Sequence, residues 1–272
     1  MQPNQHPYRY YLKWILADQG GGQFDFKLLT FETENQVQAF KEKIWSDLSA
    51  YDAISFQSEA THLAKKKLCV FDMDSTIINQ EVIDEMARLF GFYDKVAEVT
   101  EAAMQGRLDF ADSLRDRCKL FTGLPESRLR EILPKLTLSP GAQRLINYLQ
   151  STGAKTAIVS GGFEFVLRHF QTILKVDQVH GHTLNLDANR NFTGSVQEPI
   201  IDASRKRVLV TQMKQEYSAT LEQTICVGDG ANDIEMMKEA GISVSFCGKE
   251  KLKTAANTLI LKRDLSLLEK LI

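Results

Sequence analysis

The chain has 272 residues, 43% of them hydrophobic and 25% charged, which excludes disordered and collagen-like classes and predicts a globular protein. Its 33 basic and 35 acidic residues give a formal charge of -2, so no overall positive field attracts nucleic acid or an anionic membrane. No apolar run reaches the roughly 18 residues of a membrane helix, and residues 1–20 lack the apolar core of a secretion signal. We therefore expect a cytoplasmic protein with no nucleic-acid or membrane partner.

The first 66 residues predict a small N-terminal α+β domain. Residues 8–16 and 23–31 have the composition of two strands of a hairpin. Residues 34–48 have apolar side chains at helical spacing, and 52–58 predict a third strand. A β-β-α-β unit of this size is near the lower limit for independent stability. It should therefore lean on the rest of the chain or on a second copy of itself, so a homodimer is one option.

From residue 67 onward, apolar runs of strand length alternate with helical patterns. The runs KLCVFD, GAKTAIVSGG and TICVGDGAND each end in polar or glycine-rich residues, as in a parallel sheet that is covered on both faces. Residues 79–139 are strongly helical and longer than a crossover requires. We predict an α/β fold with a Rossmann-like parallel sheet as its core over 67–78 and 140–272. Residues 79–139 are expected to form an inserted helical cap over the strand ends.

Polar side chains follow each of these runs. Asp72 and Asp74 follow the first, Ser160 the second, and Asp229 and Asp233 the third. Open α/β sheets bind ligands beyond the carboxyl ends of their strands, so these side chains are expected to converge. An isolated Asp-x-Asp pair is more often a helix cap, but clustered carboxylates repel one another unless a cation is present. Oxygen ligands of this kind suit Mg2+ together with phosphate oxygens.

The stretch SGGF at 160–163 offers a hydroxyl group and flexible backbone N–H groups at the start of a helix, which suits a phosphate oxygen. Phosphate monoesters hydrolyse so slowly in water that several catalytic devices must combine. A carboxylate nucleophile, a metal ion, a lysine and a second acid for the protons would supply them. The residues that fit these roles are Asp72, Asp74, Asp229, Ser160 and a lysine.

Four motifs in this order, FDMDST, SGG, a lysine in DASRKRVL and GDGAND, resemble those of the haloacid dehalogenase superfamily of phosphohydrolases. With NQEVIDEMARLFG and AMQGRLDFADSLRDR in the cap, residues 67–272 are similar to the phosphoserine phosphatases of that superfamily. The resemblance implies hydrolysis of O-phospho-L-serine to L-serine and phosphate, the last step of serine biosynthesis, with Mg2+ as cofactor. Residues 1–66 lie outside it.

The same resemblance implies a role for each motif residue. Asp72 attacks phosphorus and forms an aspartyl-phosphate, while Asp74 protonates the leaving seryl oxygen and then activates water. Mg2+ is held by the carboxylates of Asp72 and Asp229 and by the backbone carbonyl of Asp74. The residues expected to bind the phosphate or line the site are Ser160, Gly161, Lys206 and Asn232. Asp233 is expected to support Lys206 or the metal-bound waters.

Two of these implications depend on weaker signals. The run 205–207 offers three cations, each of them by default a solvated helix residue, and spacing favours Lys206. In the cap, the family pattern places recognition of the substrate at Glu81 and Arg117, because phosphoserine presents an ammonium group and a carboxylate that these side chains can pair. Met104 and Phe110 are expected to shield the site from water, although spacing alone also fits plain core positions.

Three alternatives remain open on the sequence. The protein could act on another small phosphate ester or transfer the phosphoryl group onward, but Glu81 and Arg117 favour an amino-acid substrate. It could be a non-catalytic receiver that is phosphorylated on Asp72, but Asp74 is placed to activate water. The N-terminal unit could instead bind a regulatory ligand.

Overall fold

The computed structural model describes residues 7–17, 23–105 and 107–272, and it leaves the side chain of Met104 undescribed. The turn predicted between the first two strands and the shielding role predicted for Met104 therefore lie outside the described part. None of the described helices is long and apolar enough to cross a membrane.

The strands are β1 (Tyr8–Leu16), β2 (Phe24–Phe31), β3 (Tyr51–Ser58), β4 (Leu68–Phe71), β5 (Lys155–Phe163), β6 (Gln178–His182), β7 (Leu184–Leu186), β8 (Phe192–Val196), β9 (Thr224–Gly228), β10 (Ile242–Phe246) and β11 (Thr258–Ile260). The helices are α1 (Glu34–Trp45), α2 (Glu59–Leu63), α3 (Val82–Phe90), α4 (Tyr93–Met104), α5 (Phe110–Lys119), α6 (Glu126–Leu129), α7 (Ala142–Ser151), α8 (Glu164–Leu174), α9 (Ala203–Glu216), α10 (Ile234–Met237), α11 (Glu250–Ala255) and α12 (Leu268–Leu271).

The described residues form a nine-stranded sheet in the order β2-β1-β3-β11-β10-β9-β4-β5-β6. From β11 to β6 neighbouring strands run parallel, which confirms the predicted α/β fold with a parallel sheet in its core. Beside this sheet, β7 and β8 form a short antiparallel hairpin that packs on α5. The sequence analysis did not predict this hairpin.

Both faces of the core sheet are buried, which explains the continuous apolar runs. All four residues of β4 are fully buried. Cys69 and Phe71 belong to the apolar cluster on one face, whereas Leu68 and Val70 belong to the cluster on the other. Because a strand alternates its side chains between faces, a covered parallel strand needs apolar residues at every position. Replacing Phe71 by alanine would cost about 3–5 kcal/mol of stability.

The N-terminal elements occur in the predicted order β-β-α-β, and they extend the core sheet. Strand β3 pairs with β11 in antiparallel register, with Ala53 opposite Ile260 and Ser55 opposite Thr258. At the other end of the chain, the backbone carbonyl of Leu271 accepts hydrogen bonds from Lys13 Nζ at 2.7 Å and from Gln57. The N-terminal unit therefore shares a sheet and buried hydrogen bonds with the core. The exact domain boundaries stay a prediction.

Two neighbouring segments, residues 77–79 and 137–139, connect the core to the helical insertion, and we call them the cap linkage. The Asn79 N–H donates to the Thr137 carbonyl at 3.0 Å, and the Ser139 N–H donates to the Ile77 carbonyl at 2.9 Å. Arg263, from the core, donates to Asn79 Oδ1 at 3.0 Å. The cap is thus joined to the core by two crossings that are hydrogen-bonded to each other.

Candidate active site

Three polar strand ends meet at the carboxyl edge of the sheet. Phe71, the last residue of β4, lies opposite both Ile158 of β5 and Val227 of β9. Asp72 follows Phe71 directly, and Ser160 and Asp229 lie two residues beyond their respective strand partners. The structure therefore brings these side chains together, as the topology of a parallel sheet requires.

They border a cavity of about 300 Å³ between the sheet edge and the cap. The cavity lining includes nine of the residues predicted from the sequence: Asp72, Asp74, Glu81, Phe110, Arg117, Ser160, Gly161, Asp229 and Asn232. Lys206 and Asp233 lie behind Asp72. Lys206 forms a hydrogen bond with Asp72, and Asp233 is linked to Asp72 through Lys206.

Lys206 is the buried cation of the site. It lies in the second turn of α9, where its side chain is 1% exposed and Nζ donates to Asp72 Oδ1 at 2.7 Å and to Asp233 Oδ1 at 2.8 Å. Burial alone would lower the pKa of Lys206, but the carboxylates of Asp233 and Asp72 outweigh it and raise the pKa above its ordinary value. Arg207 points away and pairs with Glu239. The geometry thus singles out Lys206 from the run of three cations.

Asp233 organises the loop that carries Asp229. Its second oxygen, Oδ2, accepts the backbone N–H groups of Asp229 at 3.2 Å and Gly230 at 3.1 Å. A Cβ atom on Gly228 would lie 2.3 Å from this same oxygen, so this close approach requires glycine. Both oxygens of Asp233 are therefore engaged within the protein.

The acid cluster at the strand ends suits a hard cation. Carboxylate oxygens of Asp72, Asp229 and Asp233 lie within 4.8 Å of one another. Burial and the neighbouring Asp233 raise the pKa of Asp72 to about 7, against the opposing effect of Lys206. Burial, again with Asp233, raises the pKa of Asp229 to about 6. A cation would relieve this repulsion, and because Asp233 is engaged, Asp72 and Asp229 are the carboxylates able to hold it.

Asp74 lines the cavity and has one buried carboxylate oxygen, Oδ1, without a hydrogen-bond partner in the described part of the chain. Burial raises the pKa of Asp74 well above the ordinary value, and the negative charges of Glu81 and Asp72 raise it further. A carboxyl group whose pKa is raised in this way holds its proton more tightly than an ordinary aspartate, and beside a cavity it is suited to general acid catalysis.

The segment 160–162 bulges out of the sheet ladder. The register of β5 against β6 shifts between Val159 and Phe163, which turns this segment toward the cavity. The Gly162 N–H donates to Ser160 Oγ at 2.9 Å. A Cβ atom on Gly161 would lie 2.7 Å from Cζ of Phe110, so the cap ring lies directly against this backbone. Phe110 therefore closes the cap over the bulge.

Sequence reasoning did not find His182, which holds this bulge from behind. Its ring is buried, Nε2 accepts the Ile201 N–H at 2.7 Å, and Nδ1 lies 3.0 Å from the Gly161 carbonyl. Since Nε2 is an acceptor, the proton is on Nδ1, which donates to Gly161. The ring thus links the Gly161 backbone to the segment that precedes α9 and Lys206. A lone histidine in an edge strand carries no motif that could have revealed this role.

Sequence reasoning also missed two groups that act on Asp229. Thr76 is buried, and its hydroxyl group donates to Asp229 Oδ1 at 3.4 Å. It lies inside the motif FDMDST, so attention to the whole motif could have found it. Lys249 lines the cavity and lowers the pKa of Asp229, although burial dominates that pKa. Lys249 lies in a loop after β10, where no periodic sequence pattern could have indicated its role.

The cap contributes one acid and one cation to the cavity. Glu81 precedes α3 and accepts the Ser75 hydroxyl group at 2.7 Å. Arg117 lies in α5, and its Nε donates to the Ser113 carbonyl at 3.1 Å. Burial lowers the pKa of Arg117, while Asp84, among other groups, opposes that shift. Within the described part of the chain Arg117 forms no ion pair, so its guanidinium is available to a ligand.

A parallel α/β sheet with a buried Asp-Lys-Asp cluster at its carboxyl edge and a helical cap above it defines an aspartate-based hydrolase. Residues 66–241 match the family model of the haloacid dehalogenase-like hydrolases. This match includes the cap, the three polar strand ends and Lys206.

Comparison with individual relatives indicates which branch of this hydrolase family the chain belongs to. A probable phosphoserine phosphatase of Schizosaccharomyces pombe is 40% identical over 204 residues, which are 75% of this chain and 68% of the relative. A phosphoserine phosphatase of Lactococcus lactis is 39% identical over 75% of this chain and 94% of its own. A solved structure of a phospho-aspartyl intermediate analogue of phosphoserine phosphatase has a TM-score of 0.71 at 37% identity, covering 77% of this chain and all of that one. The chain belongs to the phosphoserine phosphatase family of haloacid dehalogenase-like hydrolases.

Proposed function

We propose that this protein is a Mg2+-dependent phosphatase that hydrolyses O-phospho-L-serine to L-serine and phosphate, the last step of L-serine biosynthesis. One observation carries the proposal. The cavity has a buried, lysine-bound aspartate at the sheet edge. The cap adds a carboxylate and a guanidinium that has no ion-pair partner among the described residues. These are the groups that a phosphorylated amino acid requires, and the relatives named above are phosphoserine phosphatases.

The first half-reaction transfers the phosphoryl group to the protein. An oxygen of Asp72 attacks phosphorus, the bond from phosphorus to the seryl oxygen breaks, and Asp74 gives its proton to that oxygen. Ser160, the Gly161 N–H and Lys206 hold the phosphoryl oxygens as negative charge develops on them. Burial raises the pKa of Asp74, which favours the protonated form that can serve the leaving group.

The second half-reaction releases phosphate. The carboxylate of Asp74 accepts a proton from a water molecule that attacks phosphorus, and the bond between phosphorus and Asp72 breaks. Asp72 returns to the carboxylate form that Lys206 stabilises. Phe110, lying against Gly161, keeps other water molecules away from the acyl-phosphate until the attack occurs.

Mg2+ would be held by the carboxylates of Asp72 and Asp229 and by the backbone carbonyl of Asp74. When bound, it supplies positive charge that neutralises the clustered acids and the incoming phosphate. Asn232 lines the same cavity, and Asp233 holds Lys206 in place.

Recognition of the amino-acid part falls to the cap. Glu81 would pair with the ammonium group of phosphoserine, and Arg117 would form a forked hydrogen bond with its carboxylate. A phosphate ester without these two groups would gain nothing from either side chain.

The test measures phosphate release from O-phospho-L-serine beside sugar, nucleotide and other amino-acid phosphates, with Mg2+ and then with EDTA. We expect a strong preference for phosphoserine that EDTA abolishes and Mg2+ restores. Preference for another ester would refute the assigned substrate and retain the aspartyl-phosphate chemistry. A stable phosphoprotein without turnover would favour the receiver alternative. The cytoplasmic location and the homodimer stay predictions from the sequence.

A further inference from the structure

Strand β2 is the edge strand of the nine-stranded sheet, on the side that the N-terminal unit forms. It pairs with β1 on one side, and within the ranges 7–17, 23–105 and 107–272 no strand pairs with its other side. Its residues Phe24, Phe26 and Leu28 are 37%, 56% and 38% exposed. A long strand edge with exposed apolar side chains is a template for pairing with another strand.

The hydrogen-bond phase of β2 shows which backbone groups face this outer edge. The Leu16 N–H donates to the Gln23 carbonyl at 3.1 Å, so Gln23 and every second residue after it bond to β1. The N–H and C=O groups of Phe24, Phe26 and Leu28 therefore point outward. Consistent with this, the outward Phe26 N–H donates to its neighbour, Asp25 Oδ1, at 2.8 Å.

We infer that β2 pairs in antiparallel register with β2 of a second copy of this chain, with a two-fold axis at Phe26. Phe26 then forms a hydrogen-bonded pair with the partner's Phe26. Phe24 pairs with the partner's Leu28, and by symmetry Leu28 pairs with the partner's Phe24. These pairs place the exposed apolar side chains of both copies on one face. An interface of this kind is isologous and closed, so it stops at a dimer.

The charges on β2 favour this register over the registers with the two-fold axis one residue away. Asp25 and Lys27 lie on the opposite face of β2 and are exposed, and in the described part of the chain neither has an ion-pair partner. With the axis at Phe26, Asp25 lies opposite the partner's Lys27, and symmetry forms this pair twice. An axis at Lys27 would instead place two lysines opposite each other, and an axis at Asp25 would oppose two aspartates.

The existing contact of Asp25 is compatible with this exchange. In the single chain its carboxylate satisfies the outward Phe26 N–H. In the dimer the carbonyl of the partner's Phe26 takes over that N–H, and the Asp25 carboxylate is released to the partner's Lys27. No backbone donor at the axis is left without an acceptor when the two edges join.

Sedimentation equilibrium of the full chain from about 1 μM to about 1 mM tests the inference. We expect wild-type protein to reach twice the 30.8 kDa of one chain. Asp25→Lys and Lys27→Asp should each raise the dissociation constant roughly tenfold or more, because two attractive pairs become repulsive. The double variant Asp25→Lys/Lys27→Asp restores opposite charges across the axis and should restore the dimer.

Two controls separate pairing from folding. Lys43→Glu reverses an exposed charge on α1, away from the edge, and should leave the dimer unchanged. Phe26→Pro removes an outward N–H without removing a bond to β1, so it should give a folded monomer with an unchanged circular dichroism spectrum. A monomeric wild type, a dimer that is indifferent to the single reversals, or a double variant that stays monomeric would each overturn the inference.

Discussion

At the scale of single residues, Lys206 holds together two carboxylates that would otherwise repel each other. It keeps Asp72 in place at the sheet edge and fixes Asp233, which in turn binds the backbone of Asp229 and Gly230. One buried cation thus orders both the proposed nucleophile and the loop that carries Asp229, the second carboxylate proposed to bind the metal.

Asp72→Asn should lower kcat for phosphoserine by at least about 10³-fold, because an amide oxygen is too weak a nucleophile to attack phosphorus. The amide can still accept the hydrogen bond from Lys206, so near-UV circular dichroism should match the wild type. A steady-state assay with both proteins in saturating Mg2+ makes the comparison. A variant that keeps most of its activity would remove Asp72 from the nucleophile role.

The protonation of His182 leads to a prediction about how the stability of the protein depends on pH. Burial lowers the pKa of His182, and its bond from the Ile201 N–H exists only in the neutral ring, while the Gly161 backbone opposes the shift. The stability that neutral His182 contributes is present above its ordinary pKa of 6.5 and is lost as pH falls toward its lower pKa in the fold. His182→Asn should therefore lose less stability than the wild type between pH 7 and 5, as measured by urea unfolding. His169→Asn, on α8, is the control that should follow the wild type.

Several of these residues could be predicted, and others could not, for physical reasons. Asp72, Ser160 and Asp229 follow apolar strands, and the parallel topology forces them to one edge. Periodicity could not choose among the cations of 205–207, because burial depends on how α9 packs on the sheet. His182 has a role only because its two ring nitrogens meet backbone groups from distant segments.

At the scale of elements, α5 carries two roles about two turns apart. Phe110, in its first turn, closes against Gly161, and Arg117, in its last turn, presents a guanidinium to the cavity. The hairpin β7–β8 supports this helix: Gly123, in the loop after α5, donates its N–H to the Phe192 carbonyl at 2.8 Å. The hairpin strands have only three and five residues, so their sequence has no strong strand signal.

Arg117→Ala should raise the KM for phosphoserine roughly tenfold to a hundredfold, the value of a lost hydrogen-bonded charge pair. The KM for p-nitrophenyl phosphate, which has no carboxylate or ammonium group, should hardly change. Arg115→Ala is a matched control, because Arg115 lies on the same helix and pairs with Asp112 and Glu198 outside the cavity. Equal losses on both substrates would show that Arg117 does not recognise the amino-acid part.

At the scale of the whole molecule, the N-terminal unit and the core are one continuous sheet. The contact between β3 and β11 joins segments about two hundred residues apart. Such pairing has no local sequence signal, which is why the unit could be predicted in its element order and not in its attachment. Lys13 is buried within this junction, so the pH dependence of the unfolding free energy reports on the attachment.

Lys13 is 3% exposed, and burial, with help from Lys66, lowers its pKa to about 8. The fold therefore disfavours its charged form, so its contribution to stability is present above the ordinary pKa of 10.5 and lost as pH falls to about 8. Relative to Lys13→Met, the wild type should gain roughly 2 kcal/mol of unfolding free energy between pH 8 and 10.5. Urea unfolding at both pH values measures this gain. Lys43→Met, at an exposed site, should follow the wild type, and a parallel pH response of Lys13→Met would contradict the prediction.

The cap linkage also limits how the whole molecule moves. Its two crossings are bonded to each other, and Arg263 binds Asn79 in one of them, so sliding of the cap across the sheet would break several hydrogen bonds at once. Rotation about the linkage breaks none of them and separates Phe110 from Gly161 on the far side of the cavity. If serine and phosphate leave through the opening made by this rotation, its frequency sets an upper limit on turnover however fast the chemical steps become.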